Sequence, residues 1–216
     1  MQLSKTTLEM LKNFSTINSN FYTSGGKVIK TISPMKNILA KSDIEEDLPE
    51  FGIYDLSEFL STISLYSDPV LDFFPDYVDI SWPTKSNTKV RFHFAVKEIL
   101  TTYDKDVDIN DFDTSVKLTK ELLSDTLRSG AVLQLSDIVL KSDGVTTTFG
   151  VLDKKDGNQN SHLSIVADAE VGSDYEFFFK TENLKMIPID YMLSLSNQGV
   201  AKFESENVTY WVATED

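Results

Sequence analysis

The sequence has no cysteine, only two histidines, and no apolar run approaching the roughly 20 residues that span a bilayer. Missing thiols exclude disulfides and thiolate-held metals, and they suit a reducing compartment. His93 and His162 fall in predicted strands with no second ligand nearby, which points to surface or packing roles rather than metal binding or catalysis. The opening Met-Gln-Leu-Ser-Lys lacks the apolar centre of a signal peptide, so the expectation is a soluble, unexported chain with no membrane contact. GxSxG, HExxH, Walker and dinucleotide-binding patterns are missing too. No carboxylate pair stands in apolar surroundings that would raise one pKa. The expectation is therefore a binding protein, with no catalytic residue, no metal and no cofactor.

Positive charge is also scarce. The 20 basic residues are outnumbered by 34 acidic ones, giving a net charge of −14. Such a field repels nucleic acid, but screening cuts it off at about 8 Å in physiological salt, so a locally basic face can still attract phosphates. Distribution decides, and not the total. With 216 residues and 41% hydrophobic content, the chain is long enough for one large domain or two small ones.

What is present begins with Ser4 to Asn18, an amphipathic helix: Leu3, Met10, Leu11, Phe14 and Ile17 share one side, with Lys5, Glu9, Lys12 and Thr16 opposite. Ser24-Gly25-Gly26 signals a turn, followed by strands at Lys27 to Ser33 and Ile38 to Ala40, an acidic loop from Asp43 to Glu50, and a strand over Phe51 to Tyr54. Asp55 and Glu58 predict a capped helix to about Tyr66, burying Leu56, Phe59, Leu60 and Ile63 and turning a neutral face of Ser57, Ser61 and Ser64 outward. Short strands follow at Val70 to Phe74, Tyr77 to Trp82 and Lys89 to Val96.

A second half repeats the plan after an acidic connector. A strand over Phe112 to Leu118 precedes a helix from Thr119 to Ser129, which buries Leu122, Leu123, Thr126 and Leu127 and stops at Gly130. Strands at Val132 to Leu140, Val145 to Leu152, His162 to Ala167 and Tyr175 to Lys180 lead to a short helical turn over Asn183 to Ile187 before Pro188. Tyr191 to Ser196, Val200 to Glu204 and Val208 to Val212 complete a meander. The predicted divisions are a domain over 1–96, a connector over 97–111 and a domain over 112–216, in an α+β class with two short helices per domain.

Within the connector, Asp104, Asp106, Asp108 and Asn110 alternate like the front of an EF-hand loop. The resemblance to a calcium site stops there, because Ile109 replaces the turn glycine and Ser115 the bidentate glutamate, so the expectation is a solvated linker. On the helical faces, Lys5, Lys12, Lys120, Arg128 and Lys185 point outward; any one alone is an ordinary solvated charge, but together they form a phosphate-facing surface if the helices share one side.

Met1 to Asn18, Ile53 to Leu65 (IYDLSEFLSTISL) and Asn183 to Ala213, with NLKM, GVAKFE and YWVA, resemble the sliding clamps, DNA polymerase processivity factors, of T-even-like bacteriophages. The match is poor over Pro69 to Asp113. The resemblance implies two similar clamp domains per chain, sheets outside and helices inside, with three copies joined head to tail in a ring around duplex DNA. It implies that Lys5, Lys12 and Lys185 face DNA, while Lys120 and Arg128 are assigned by helical phase. It further implies a DNA polymerase and an ATP-driven clamp loader as partners, a role in late transcription through a sigma-like factor and its co-activator, and a site of action in the cytoplasm of the infected host. Partner peptides would enter a pocket near the connector and chain end, for which Ile99, Leu100, Tyr103, Trp211 and Val212 are candidates; plain packing is the alternative for all five. Two rival readings stand beside the clamp: an acidic, β-rich, multimeric phage structural or assembly protein, and a hydrolase using the Asp-rich stretch.

Overall fold

Ser4 is a strong helix-capping residue ahead of an apolar stripe, and in the computed structural model the first helix, α1, runs over Lys5–Ile17. The structure describes residues 1–85, 87–103, 109, 111–155, 160–167, 169, 172 and 174–215. They divide into two compact units, Met1–Lys105 and Asp106–Asp216.

In the first unit, Ser4 Oγ accepts the Thr7 N–H at 3.1 Å, and α1 buries Thr7, Met10, Leu11, Phe14 and Ile17. Leu3 is only half-buried, because it lies ahead of the cap and off the helix. Strands β1 (Phe21–Ile32) and β2 (Ile38–Ile53) pair antiparallel. Two expectations are corrected here. Ser24-Gly25-Gly26 is no turn: β1 continues through it, with Gly25 and Gly26 at φ 91° and 95° and the register shifting between Gly26 and Val28. Glycine tolerates this left-handed backbone, so the pair absorbs a bulge instead of reversing the chain. The acidic stretch from Asp43 is strand as well, since Ile44 and Leu48 are buried while Asp43, Glu45 and Asp47 remain exposed.

Glu46, in the bulged part of β2, turns back onto α1 and accepts hydrogen bonds from the Ser4 N–H and, at 2.5 Å, from the Thr7 hydroxyl. Burial pushes this carboxyl up, but the bonds from Thr7 and Ser4 outweigh it and hold it below its ordinary value. Helix α2 (Leu56–Ile63) has the expected cap, with Asp55 Oδ1 accepting the Glu58 N–H at 2.9 Å, and buries Leu56, Phe59, Leu60 and Ile63. It ends short of Tyr66, ahead of Asp68 in the left-handed region (φ 58°) and Pro69. Strands β3 (Val70–Phe73), β4 (Tyr77–Ser81) and β5 (Lys89–His93) form an antiparallel meander, and a 3-10 turn follows at Lys97–Ile99. Phe51 anchors the core, its ring 5.2 to 6.4 Å from those of Phe21, Phe59, Phe73 and Phe94.

The second unit starts with β6 (Thr114–Leu118) and α3 (Lys120–Leu133), capped by Thr119. Gly130 does not stop the helix. It is buried inside α3, where an added Cβ would lie 3.2 Å from Val151 Cγ1, so its role is close approach to the sheet. Gln134, at φ 56°, is the left-handed cap, and Val132 is an exposed helical residue instead of the start of a strand. Strands β7 (Asp137–Asp143), β8 (Thr147–Leu152), β9 (His162–Ile165) and β10 (Asp174–Lys180) form a sheet in the order β10-β7-β8-β9. The fourth helix expected over Asn183 to Ile187 is a single 3-10 turn at Thr181–Asn183, because Pro188 keeps the residue before it out of helical geometry. Strands β11 (Tyr191–Ser196), β12 (Val200–Glu204) and β13 (Val208–Ala213) complete the chain, with β6 beside β11.

One plan serves both units. Each places a Ser- or Thr-capped helix after its opening residues, then antiparallel strands, a second helix or helical turn, and a three-stranded meander. In the first unit Met1 O accepts the Leu71 N–H of β3 at 2.8 Å, as β6 pairs with β11 in the second.

Candidate nucleic-acid interface

Lys5, Glu9 and Lys12 are all exposed on α1 at spacings of four and three, hence on one face. On α3 the exposed charges are Lys120, Glu121, Asp125 and Arg128, and on α2 the only one is Glu58. The three helices thus carry four basic and four acidic residues, so the whole of the −14 resides outside them. The helices of each unit are neutral, two bases against two acids, in a protein that is otherwise strongly acidic.

The residues on these helices differ. Arg128 Nη1 lies 3.4 Å from Asp125 Oδ1, both side chains well exposed, a weak pair that still reduces what Arg128 offers a phosphate. Lys185 is exposed but follows the 3-10 turn, so it projects from irregular chain and not from a helix face. The α2 face is not free of acid, because Glu58 is exposed beside its serines. Two of those exposed serines bond to their own backbone, Ser61 Oγ donating to Ser57 O at 2.7 Å and Ser64 Oγ to Ser61 O at 3.0 Å. Lys12 also borders a cavity of about 270 Å³ with Leu8, Leu60, Ile63 and Tyr66.

The five pocket candidates divide between the units. Ile99 is 59% exposed, whereas Leu100 is buried against the backbone of Gly52, where a Cβ would meet Leu100 Cδ1 at 2.7 Å. Tyr103 is half-buried. In β13, Val212 is buried opposite Ala201 while Trp211 is half-exposed opposite Lys202; neighbours on a strand face opposite ways, so these two cannot line one pocket together. Asp104, Asp106, Asp108 and Asn110 lie outside the described residues, and Asp113 Oδ2 accepts the Asn197 N–H at 2.7 Å. Among the described residues no group of three His, Cys, Asp or Glu side chains is placed to hold a metal, and no helix is long and apolar enough to cross a membrane.

Sequence reasoning missed two buried carboxylates. Asp79 on β4 takes Lys89 Nζ at 2.5 Å and the Arg91 guanidinium at 2.9 and 3.2 Å; the Arg91 bond, against burial, pulls its carboxyl down to about 2. Asp137 on β7 takes Lys180 Nζ at 2.5 Å, and although burial pushes it up, that bond and those from Lys154 N–H and Ser136 Oγ leave it below its ordinary value. The signal was present in alternation: YVDIS and KVRFH place an acid and two bases on one side of paired strands.

The family model described as gp45 sliding clamp, C terminal, matches residues 114–216. The sliding clamp of Vibrio phage KVP40 is 32% identical across all of this chain and 99% of that one, and the sliding clamps of Escherichia phage RB69 and Enterobacteria phage T4 are each 28% identical across all of this chain and 97% of theirs. Among solved structures, the A. fulgidus PCNA bound to the C-terminal region of FEN-1 superposes with a TM-score of 0.74 over 100% of this chain and 97% of that one, at 10% identity. The PCNA2–PCNA3 complex of Sulfolobus tokodaii gives 0.70 over 97% and 95%, at 13% identity. Both likenesses concern the fold alone.

Proposed function

Since the chain belongs to the sliding-clamp family of T-even-like phages, we propose that three copies close into a ring around duplex DNA and tether the replicative polymerase for processive synthesis. The observation that carries this reading is the charge placement: the helices are neutral while every net negative charge lies elsewhere. A ring needs no tight grip. Fixed base contacts would raise barriers along the duplex, whereas Lys5 and Lys12 on flexible stems attract phosphates without reading sequence. Lys120 and Lys185 add to this attraction, and Arg128 adds less because Asp125 competes for it.

Tethering raises the polymerase concentration at the primer end, the gain of any linked second site. The chain does no chemistry of its own in this scheme. Loading onto a closed circle requires an ATP-driven loader to open the ring, late-transcription factors use the same tether, and the site of action is the host cytoplasm. Partner peptides dock on Ile99 and Tyr103 in the first unit, and Trp211 is the candidate contact in the second; Leu100 and Val212 are packing residues. The A. fulgidus PCNA, which shares this fold, is bound by the C-terminal region of FEN-1, so a protein of this fold can hold a partner's terminal segment. The rival reading of a structural or assembly protein is disfavoured by the family.

The ring would close through strand edges. On β3 the outer edge is bonded to Met1, and on β10 Phe178 O accepts the Glu215 N–H. Among the described residues no backbone hydrogen bond leaves the outer edges of β5 and β9, and both carry apolar side chains only partly covered, Val90 and Phe92 on one and Leu163 and Ile165 on the other. Such edges invite pairing with another chain. The test is retention on nicked circular DNA after loading, followed by linearisation: release on cutting is expected, and equal retention on both forms contradicts the clamp reading.

A further inference from the structure

The edge of the first unit's meander carries charges that DNA binding does not use. Val78 and Ile80 on β4 are fully buried opposite Phe92 and Val90, and Phe92 touches Phe59 of α2 with ring centroids 5.1 Å apart. Asp79, Lys89, Arg91 and His93 therefore occupy the side away from the helix. Although on that outer side, the Asp79 side chain is 2% exposed, covered by the Lys89 and Arg91 heads that it binds. Arg91 also lies over the Tyr77 ring, 3.8 Å from its centroid. Asp79 and Tyr77 both belong to β4, so the two cationic heads are drawn inward, away from the outer edge of β5.

The β9 edge is different. Val151, opposite His162, faces Gly130 of α3, so Leu163 and Ile165 fall on the side away from the helix, where they are 48% and 72% exposed. When two sheets meet edge to edge with their helices on one side, pleating puts outer residues beside outer residues. Lys89, Arg91 and His93 then share a row with Leu163 and Ile165 of the next copy. Free cationic heads would be poor neighbours for that apolar pair, whereas methylene stems with their heads held elsewhere are good ones.

We propose that Asp79 governs the joining of copies: by holding the Lys89 and Arg91 heads on β4, it lets their stems cover Leu163 and Ile165 of a second copy of this chain. The inference rests on the ring reading above. Light scattering against concentration tests both, with separable failures. A wild-type chain that stays monomeric overturns the ring itself. In a trimeric protein, Asp79→Asn keeps the side-chain shape and releases both heads, and it is expected to weaken assembly by about tenfold or more. Adding Lys89→Met and Arg91→Met to that variant removes the released heads and is expected to restore assembly. Undiminished assembly of Asp79→Asn, or a triple variant as weak as the single one, overturns the role of Asp79 and leaves the ring standing.

Discussion

Helices α1 and α3 hold equivalent places in the two units, yet they are anchored and charged differently. The 13 residues of α1 bury five side chains, including Phe14, and expose two lysines against one glutamate. The 14 residues of α3 bury Leu123, Thr126 and Gly130, and expose two bases against two acids, one pair of which are partners. The first helix is thus held by bulk and left with spare positive charge, and the third is held by close approach at a glycine and nearly neutralises itself. Attraction for DNA is accordingly expected to be unequal within one chain.

The largest effect should come from the anchors. Phe14→Ala should cost about 3–5 kcal/mol and Leu123→Ala about 2–5 kcal/mol, read by chemical denaturation; a cost for Leu123→Ala above that of Phe14→Ala would reverse the account of which helix relies on bulk. Charge reversal comes next. Lys5→Glu with Lys12→Glu should cut loading or processive synthesis by about tenfold while leaving stability unchanged, since each lost phosphate contact removes about 0.9 from the salt slope. Lys120→Glu with Arg128→Glu should cut it less, and equal losses would mean that the Asp125 pair is irrelevant.

The two buried aspartates make a matched pH comparison. Asp79 in the first unit and Asp137 in the second both titrate below the ordinary carboxylate value of about 3.9. A depressed folded pKa means that the contribution is complete above pH ~4 and lost as pH falls, for Asp79 through about 2. Acid titration of stability should therefore show a fall between pH ~4 and ~2 that is shallower in Asp79→Asn; an identical slope would show that the Asp79 bonds do not hold in solution. The smallest effects belong to the caps. Ser4→Ala and Thr119→Ala should each cost about 1 kcal/mol, the latter less because its bond to Leu122 N–H is longer, 3.3 Å against 3.1 Å.

Periodicity made much of this fold legible. The buried stripe of α2 and the cap at Asp55 follow from spacing alone, as does most of the α1 face. Glycine was where reading failed, because Gly25, Gly26 and Gly130 look like breakers in sequence and serve instead as a bulge and a contact with Val151. Their meaning depends on what lies opposite, which a single sequence does not state. The acidic strand was hidden for a related reason: its carboxylates are exposed on one side, and Glu46 has a partner about 40 residues away in α1. For the interface, outward phase located the basic residues and Glu9 of α1 but not Glu121 and Asp125 of α3, and the Arg128–Asp125 pair depends on side-chain placement that spacing does not state.

The central claim is that this chain holds DNA by encirclement, with a neutral helical face that attracts only weakly. The most direct measurement is the residence time of loaded protein on closed circular DNA at low and at high salt. The account predicts residence nearly independent of salt on the circle, with rapid loss once the DNA is cut. A residence that falls steeply with salt on uncut circles would mean that phosphate contacts, and not topology, keep the protein on DNA.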